Sequence, residues 1–474
     1  MTKRQAVTTA APDPLEKYAQ HFDDLFSKLN QREGFRQYLE GLLLPTERNK
    51  TLTGLTNTEP YVGAQHPRAQ GLQWFLSESN WDERHVQERR LRLLLEEPST
   101  APNSQGVLVI DEHGDRKRGH KTAHIGKQYL ANLGKLDTGV VSVTSLWADE
   151  QVYYPVDFEP YTPADYFPQG KQDPAFRTKL KIGAQLVSRA VHVPIPFRAV
   201  VADSFYGEDR GFRRSLRELN VGYVLALGPS HAWWHPETEV GSFQEAAQEA
   251  GWEGAERPGH WVKVTRTFRD GSSQDWWVLE LNIRPFGPDK QERVIVATTD
   301  PDILPDLTTF YLITNLPAPG SQRAQERELA VATVEEVLRL YGLRMWVEQS
   351  YKQVKHALGW SQYQVRSDQA IRRHWQLVCC AFSFCWYHQA HATTPISRTA
   401  PIQPSSSVQQ EPQETLREQR AEGKKGGRNV RTTTGDLAQS PTGSPSLART
   451  LGLAPAMLAR LVATAPTSPT PTPP

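Results

Sequence analysis

Apolar residues along this chain follow two rhythms. From about Leu15 to Leu95 they recur every three to four positions, as in Tyr18, Phe22, Leu25, Phe26 and Leu29, and again in Phe35, Tyr38, Leu39, Leu42 and Leu43. That spacing predicts amphipathic helices. Pro45 and the Thr/Asn/Gly/Pro-rich stretch 46–67 interrupt it; helical text resumes at Leu72–Leu76 and at His85–Leu95, where Glu88, Arg89, Arg90 and Arg92 supply a charged side. At Gly106 the rhythm changes. Val107–Ile110 is a continuous apolar run that ends in Asp111, and Phe197–Ala202 is another that ends in Asp203. Such runs predict buried central strands. Further strands are expected at Val140–Leu146, Gln151–Val156 and Gly222–Leu227, and helices at Asp173–Val191 and Gly211–Leu219. Strands followed by helices define an α/β core.

Residues 229–308 break this alternation. They are rich in Trp, Gly and Pro and carry period-2 patches, Trp261–Phe268 and Trp276–Leu281, which predict an antiparallel β insertion. Phe310–Thr314 reads as a last strand. One long helix is expected from about Gln325 to Leu358 and a second from Asp368 to His391. The first 13 residues read as a frayed tail. Twelve prolines fall among Ser, Thr, Gln and Gly in residues 392–474, a composition that buries too little apolar surface to offset ordering entropy. The expected units are therefore 1–13 disordered, 14–100 helical, 101–228 and 309–391 as two parts of one α/β core, 229–308 as the β insertion, and 392–474 as a disordered tail. No internal repeat is found.

The chain has 474 residues, of which 38% are hydrophobic, with 54 Lys and Arg against 53 Asp and Glu. The near-zero balance excludes a globally basic nucleic-acid binder but leaves local basic patches open. Three cysteines exclude a disulfide-rich secreted fold. The N-terminal segment lacks the apolar stretch of a signal peptide, and the longest apolar run, Leu377–Trp386, is too short to span a bilayer. A soluble cytoplasmic protein is expected, with no membrane partner.

Two carboxylates at the carboxyl ends of two strands lie where ligands gather in open α/β sheets. Either aspartate alone could be a turn or helix cap; together they would repel unless a cation sat between them, and hard cations such as Mg²⁺ take oxygen ligands of this kind. A third block sharpens the choice. On a continuous helix through Tyr341, the side chains of Arg344, Glu348 and Lys355 fall in a stripe about 60° wide with Tyr341 at its edge. Charged stripes are commonly solvated, and Arg344/Glu348 would form an i,i+4 pair. Here the flanking Leu343, Met345, Trp346, Val347, Val354 and Leu358 are apolar, so the stripe is expected to need paired charges or a metal.

Tyr341-x2-Arg344-x3-Glu348-x6-Lys355 resembles the signature of a large group of bacterial insertion-sequence transposases of the DDE type. Val107-Leu-Val-Ile-Asp111-Glu with Lys117-Arg-Gly119 and Gly134-Lys135 resembles their first-aspartate block, and Val200-Val-Ala-Asp203-Ser-Phe-Tyr206-Gly207 the second. The resemblance covers roughly residues 15–390; Asp137-Thr-Gly departs from it, which is expected to be harmless, and the Pro/Ser-rich tail has no counterpart. It implies an RNase H-like core with Asp111, Asp203 and Glu348 as catalytic, metal-holding acids for two Mg²⁺ ions, with Mn²⁺ able to substitute. It implies cleavage of double-stranded DNA at transposon ends and strand transfer into target DNA by a homodimer holding two ends. It also implies phosphate contacts from Arg344, Lys355 and Tyr341, a sequence-reading role for the helices of 14–100, and a flipped base stacked on Trp276 or Trp277, adjacent strand residues that point to opposite faces. The competing reading is a transposase-derived DNA-binding regulator without catalysis; three matching carboxylates argue against it.

Basic residues cluster near each block: Arg116, Lys117, Arg118 and Lys121; Arg210, Arg213 and Arg214; Arg366, Arg372 and Arg373. They are candidates for a DNA groove, mixed with ordinary surface charges. Cys379, Cys380 and Cys385 lack zinc spacing and are expected in the core. His113, His120 and His124 lack repeated metal spacing and are expected to be exposed. Glu112 should point away from Asp111. No P-loop pattern is present, which leaves ATP dependence without support.

Overall fold

The computed structural model describes residues 11–391 except 45–47, 60–62, 194, 230–231, 234–240, 268–272, 305–308 and 327. The expected tail 392–474 and most of the expected N-terminal tail lie outside the described residues. The chain begins with helices α1 (Asp13–Gln20), α2 (Leu29–Leu43), α3 (Leu52–Leu55), α4 (Pro67–Ser77) and α5 (Glu83–Glu96). Strands β1 (Val107–Arg116), β2 (Gly126–Leu130), β3 (Lys135–Ala148) and β4 (Tyr153–Tyr161) follow, then α6 (Lys179–His192), β5 (Ala199–Ala202), α7 (Ser204–Gly207), α8 (Arg210–Glu218) and β6 (Tyr223–Leu227). Next come β7 (Ala232–Trp233), β8 (Gly241–Ser242), α9 (Phe243–Gln248), β9 (Val262–Thr267), β10 (Ser273–Leu281), β11 (Arg293–Thr298) and β12 (Phe310–Thr314). Helices α10 (Gln322–Glu326), α11 (Val334–Gly342), α12 (Met345–Lys352), a π-turn over Gln353–Ala357 and α13 (Asp368–His391) complete the described fold.

Ten strands form one sheet, ordered β2-β3-β1-β5-β6-β12-β11-β10-β9, with β4 also paired to β3. Within it, β4-β3-β1 is antiparallel, and β5 and β6 run parallel to β1. This five-strand α/β unit is the RNase H-like core that the resemblance implied. The first four residues of β1 and all four of β5 are buried, because both of their faces are covered. Strand β1 continues past Asp111 to Arg116, five residues beyond its expected end, because β3 pairs with it along its whole length.

Side-chain alternation places the helices. Ile110 and Glu112 face α6: Gly183 of α6 has room for no Cβ beside Ile110 and Tyr206, and Lys179 bonds Glu112 at 2.7 Å. Asp111 faces the other way, as expected for neighbouring strand positions, toward α11 and α12. The β segment 229–308 is antiparallel, as its period-2 patches predicted. Its strands β9, β10 and β11 continue the central sheet through β12, which pairs antiparallel with β6. Sheet edges are extended by any strand with free backbone donors and acceptors, and that pairing cannot be read from a local pattern. The N-terminal helices share one hydrophobic core with α13 and the sheet; Arg90 of α5 is fully buried and donates to the Pro155 and Val156 carbonyls of β4.

The single long helix expected over Gln325–Leu358 is broken. Thr333 caps a new helix by accepting from the Glu336 amide. At Gly342 a Cβ would overlap the Arg266 guanidinium, and Leu343 and Arg344 close i→i−3 bonds onto Leu340 and Tyr341 at 3.2 and 2.9 Å. The chain therefore re-aims between α11 and α12, and helical-wheel angles drawn through Tyr341 do not carry across the break.

Candidate active site

Asp111 and Asp203 come from adjacent parallel strands. Asp111 lies on β1 opposite Thr144 of β3, and its Oδ1 accepts from the Glu112 amide at 2.7 Å. Asp203 follows β5 and caps α7, accepting from the Phe205 amide at 3.2 Å. The close approach of α7 to β6 sets its position: a Cβ on Gly207 would sit 1.8 Å from the Ala226 carbonyl oxygen. Only glycine lets this turn lie so close to the neighbouring strand.

Both carboxylates turn toward one cationic nitrogen. Arg344 Nη2 is 3.2 Å from Asp111 Oδ2 and 3.8 Å from Asp203 Oδ2. Asp111 is nearly enclosed, and burial pushes its pKa up to about 7; Arg344 pulls it down, and Asp203 pushes it up again. Burial opposes the Arg344 charge, but Asp111, Tyr341, Asp203 and Glu348 outweigh it and hold the guanidinium cationic. Tyr341 is buried; burial raises its pKa, Arg344 opposes, and Asp203, Asp111 and Glu348 add to the rise, so it remains a protonated donor. Glu348 is exposed, one helical turn beyond Arg344 on α12. The Lys355 side chain lies outside the described residues.

Helix α12 is held over the acids by contacts that the sequence pattern missed. Tyr351, one turn past Glu348, shares a 2.5 Å hydrogen bond with Thr144, the partner of Asp111 across the β1–β3 ladder, and its ring lies 5.0 Å from His113. Trp346 stacks on Tyr153 at 4.7 Å. Tyr351 falls at i+3 from Glu348, so its helical spacing was the available signal.

The tryptophan pair straddles β10 as strand alternation requires, though neither ring is fully exposed. Trp276 is buried, stacked on Phe310 at 5.5 Å, and Phe310 in turn meets Tyr341 at 5.3 Å. Trp277 is half-buried, edge-on to Trp252 at 4.7 Å.

The basic residues near the three blocks divide. Arg116, Arg118, Lys121, Arg210, Arg214 and Arg366 are exposed. Lys117 is turned inward under the Tyr363 ring at 3.4 Å, where burial lowers its pKa to about 8. Arg213 bonds Glu292, Arg372 bonds Glu159, and Arg373 is buried against Leu76 and Trp81; these serve the fold. The expectation for the histidines is corrected at two of three positions. His113 is buried and bonded to Asp115 at 2.9 Å, two residues on and on the same face of β1, while His124 is buried between Thr162 and Asp368, a carboxylate that α13 brings from 244 residues away. His120 is exposed. Cys379 and Cys380 are fully buried and Cys385 partly so, with burial pushing their thiols up to about 11, 12 and 12.

Two family models match the chain: DDE superfamily endonuclease over residues 21–273 and Transposase DDE domain over residues 174–384. The probable transposase for insertion sequence element IS701 of Microchaete diplosiphon is 33% identical over 352 residues, which cover 74% of this chain and 81% of that protein. The chain belongs to the DDE transposases of insertion sequences. Membership makes DNA its substrate and a divalent metal its general requirement.

The donor set can be tested against that requirement. Asp111 and Asp203 offer hard oxygen donors that already converge on a cation. These two residues fit a metal of the Mg²⁺ type. Glu348 is not grouped with them: among the described residues no three His, Cys, Asp or Glu side chains are close enough to hold an ion. Among the same residues, no helix is long and apolar enough to cross a membrane.

Proposed function

We propose that the chain cleaves DNA at the ends of its own insertion sequence and joins the freed 3′ ends to target DNA, with Asp111, Asp203 and Glu348 as the acids of the reaction. The observation that carries this reading is the convergence of Asp111 and Asp203 on Arg344, one turn before Glu348. Asp111 and Asp203 would hold Mg²⁺, and Glu348 would join them once α12 shifts toward the sheet. A metal pair bound there supplies an activated oxygen nucleophile and a stabilised leaving oxygen.

The chain's own groups do the rest. Arg344 neutralises the two acids in the DNA-free protein and turns to a phosphate beside the scissile bond when DNA arrives, where a guanidinium binds two oxygens at once. Lys355 contacts a neighbouring phosphate. Tyr341 donates its hydroxyl to the backbone, braced from behind by Phe310 and Trp276. Trp277, the less buried of the pair, stacks a displaced base. Two copies hold two transposon ends. The test is a cleavage and strand-transfer assay with purified protein, Mg²⁺ or Mn²⁺, and DNA carrying the inverted repeats that flank its gene. Joined products are expected from wild type and none from Asp111→Asn, Asp203→Asn or Glu348→Gln. Binding without cleavage by wild type would instead support a regulator derived from a transposase.

A further inference from the structure

The segment between Arg116 and Leu136 stands apart in a chain of balanced charge. It holds six basic residues, Arg116, Lys117, Arg118, Lys121, Lys127 and Lys135, and the one carboxylate of the β2–β3 ladder, Asp137 just beyond it, pairs with Arg116 at 3.1 Å. Lys117 is turned inward; beside the paired Arg116, the side chains of Arg118, Lys121, Lys127 and Lys135 are exposed. The segment includes the β2–β3 hairpin, at the edge of the sheet. Three large apolar side chains stand in its midst: Tyr129 is 52% exposed, Leu136 62% and Leu133 38%. Tyr129 and Leu136 are direct cross-strand partners, so they share one face of the hairpin.

This exposure belongs to a held structure. Gly134, at φ 62°, closes the turn in the left-handed region. Leu130 is fully buried over Gly114 and Gly139, both too close to it to carry a side chain without displacing it. The hairpin therefore stays anchored to β1 while Tyr129 and Leu136 face outward. An exposed apolar pair on an edge strand is a liability unless something covers it.

We infer that the β2–β3 hairpin is a second DNA-binding element that presses Tyr129 and Leu136 into the minor groove, with the surrounding lysines and arginines on the flanking phosphates. The charge of the segment complements DNA and no other polyanion of this protein's known chemistry. Apolar wedges rimmed by basic side chains are how minor-groove proteins unstack and bend a duplex. Position supports it. Arg116 pairs with Gly139, and Leu136 lies three residues further along β3, so the pair stands about eight strand residues, roughly 27 Å, beyond Asp111. That is the rise of about eight base pairs. This spacing rests on the reading of Asp111 as the cleavage centre.

The test uses the full chain without added metal, in a Glu348→Gln background so that cleavage does not intervene. The probe is a 40-base-pair duplex ending in the element's inverted repeat, read by gel shift and by end-to-end fluorescence transfer. Tyr129→Ser/Leu136→Ser should weaken binding about tenfold and straighten the duplex, with the salt dependence kept. Lys127→Gln/Lys135→Gln should reduce the slope of log K against log salt by about 1.8, since each phosphate contact contributes about 0.9. Circular dichroism matching the parent in both variants shows that the fold is kept. Unchanged affinity and bend overturn the proposal. So does a fall in mass by light scattering with DNA binding intact, which would make the hairpin a contact between copies of the chain. If wild type fails to cleave while the hairpin variants still lose binding, the catalytic reading falls and the hairpin assignment stands.

Discussion

Replacing Glu159 by Gln should destabilise the protein by about 2–3 kcal/mol at pH 7, and the loss should vanish toward pH 2. Glu159 lies on β4 with 6% of its side chain exposed, against arginines from four separate segments. Arg372 of α13 is 2.8 Å away, Arg177 3.0 Å, Arg189 of α6 3.2 Å and Arg84 of α5 3.3 Å. Burial alone would raise the carboxyl, but Arg372 foremost, then Arg177 and Arg189, outweigh it and bring the pKa to about 2 from an ordinary 4.5. A depressed carboxyl stabilises the fold above its unfolded pKa, and that stability is lost as pH falls through the folded value. At about 1.4 kcal/mol per pH unit the difference is worth about 3.4 kcal/mol. Breaking a buried ion pair by removing one partner costs about 3–5 kcal/mol, so two routes agree. Arg84, Arg177 and Arg189 are each about a third exposed, and water takes up part of the loss. The assay is urea unfolding of wild type and Glu159→Gln at pH 7, 5 and 3. A difference below about 0.5 kcal/mol at pH 7, the scale of an ordinary surface substitution, would refute the reasoning, as would a difference that does not shrink with acid.

Three further outcomes follow from the site. In chelator, the stability lost between pH 5 and pH 8 should be smaller in Asp111→Asn than in wild type, because a carboxyl raised to about 7 gives stability at low pH that is lost as pH rises through that value; urea midpoints at the two pH values check this, and an equal loss in both proteins would count against it. Arg344→Gln should tighten Mn²⁺ binding to the DNA-free protein about tenfold by calorimetry, the scale of ~1.4 kcal/mol, since it removes the cation that the two acids now share; unchanged or weaker binding would count against that role. Gly207→Ala should cost at least about 3 kcal/mol in urea unfolding, because its Cβ has no room beside the Ala226 carbonyl; a neutral result would mean that α7 moves away from β6 freely.

What could be read from the sequence was local. Val107–Ile110, Ala199–Ala202 and Phe310–Thr314 emerged as strands because a short, unbroken apolar run has few other buried solutions. Helix α13 emerged at its observed bounds. The three motif blocks pointed to the family, because their residue types and spacing can be read in a linear text without the fold around them. Departures came where two distant segments meet. The wheel drawn through Tyr341 failed at Gly342, where Arg266 of β9 occupies the space that a side chain would take. Tyr351 was passed over because its partner, Thr144, is on β3. Lys117, Arg213, Arg372 and Arg373 look like surface charges in a linear text, and each is absorbed by an aromatic ring, a carboxylate or a carbonyl from elsewhere.

The sequence by itself determined the α/β class, the strands that carry Asp111 and Asp203, and the membership that its motifs announce, since apolar runs and residue spacing act over a few neighbours. Only the tertiary structure decided that β9–β11 extend the central sheet, that α11 and α12 are separate helices, and that Arg344 lies between the two aspartates. Those outcomes depend on backbone pairing and charge compensation between groups far apart in the chain. Long-range contacts of this kind have energies set by the whole fold and leave no local periodicity behind.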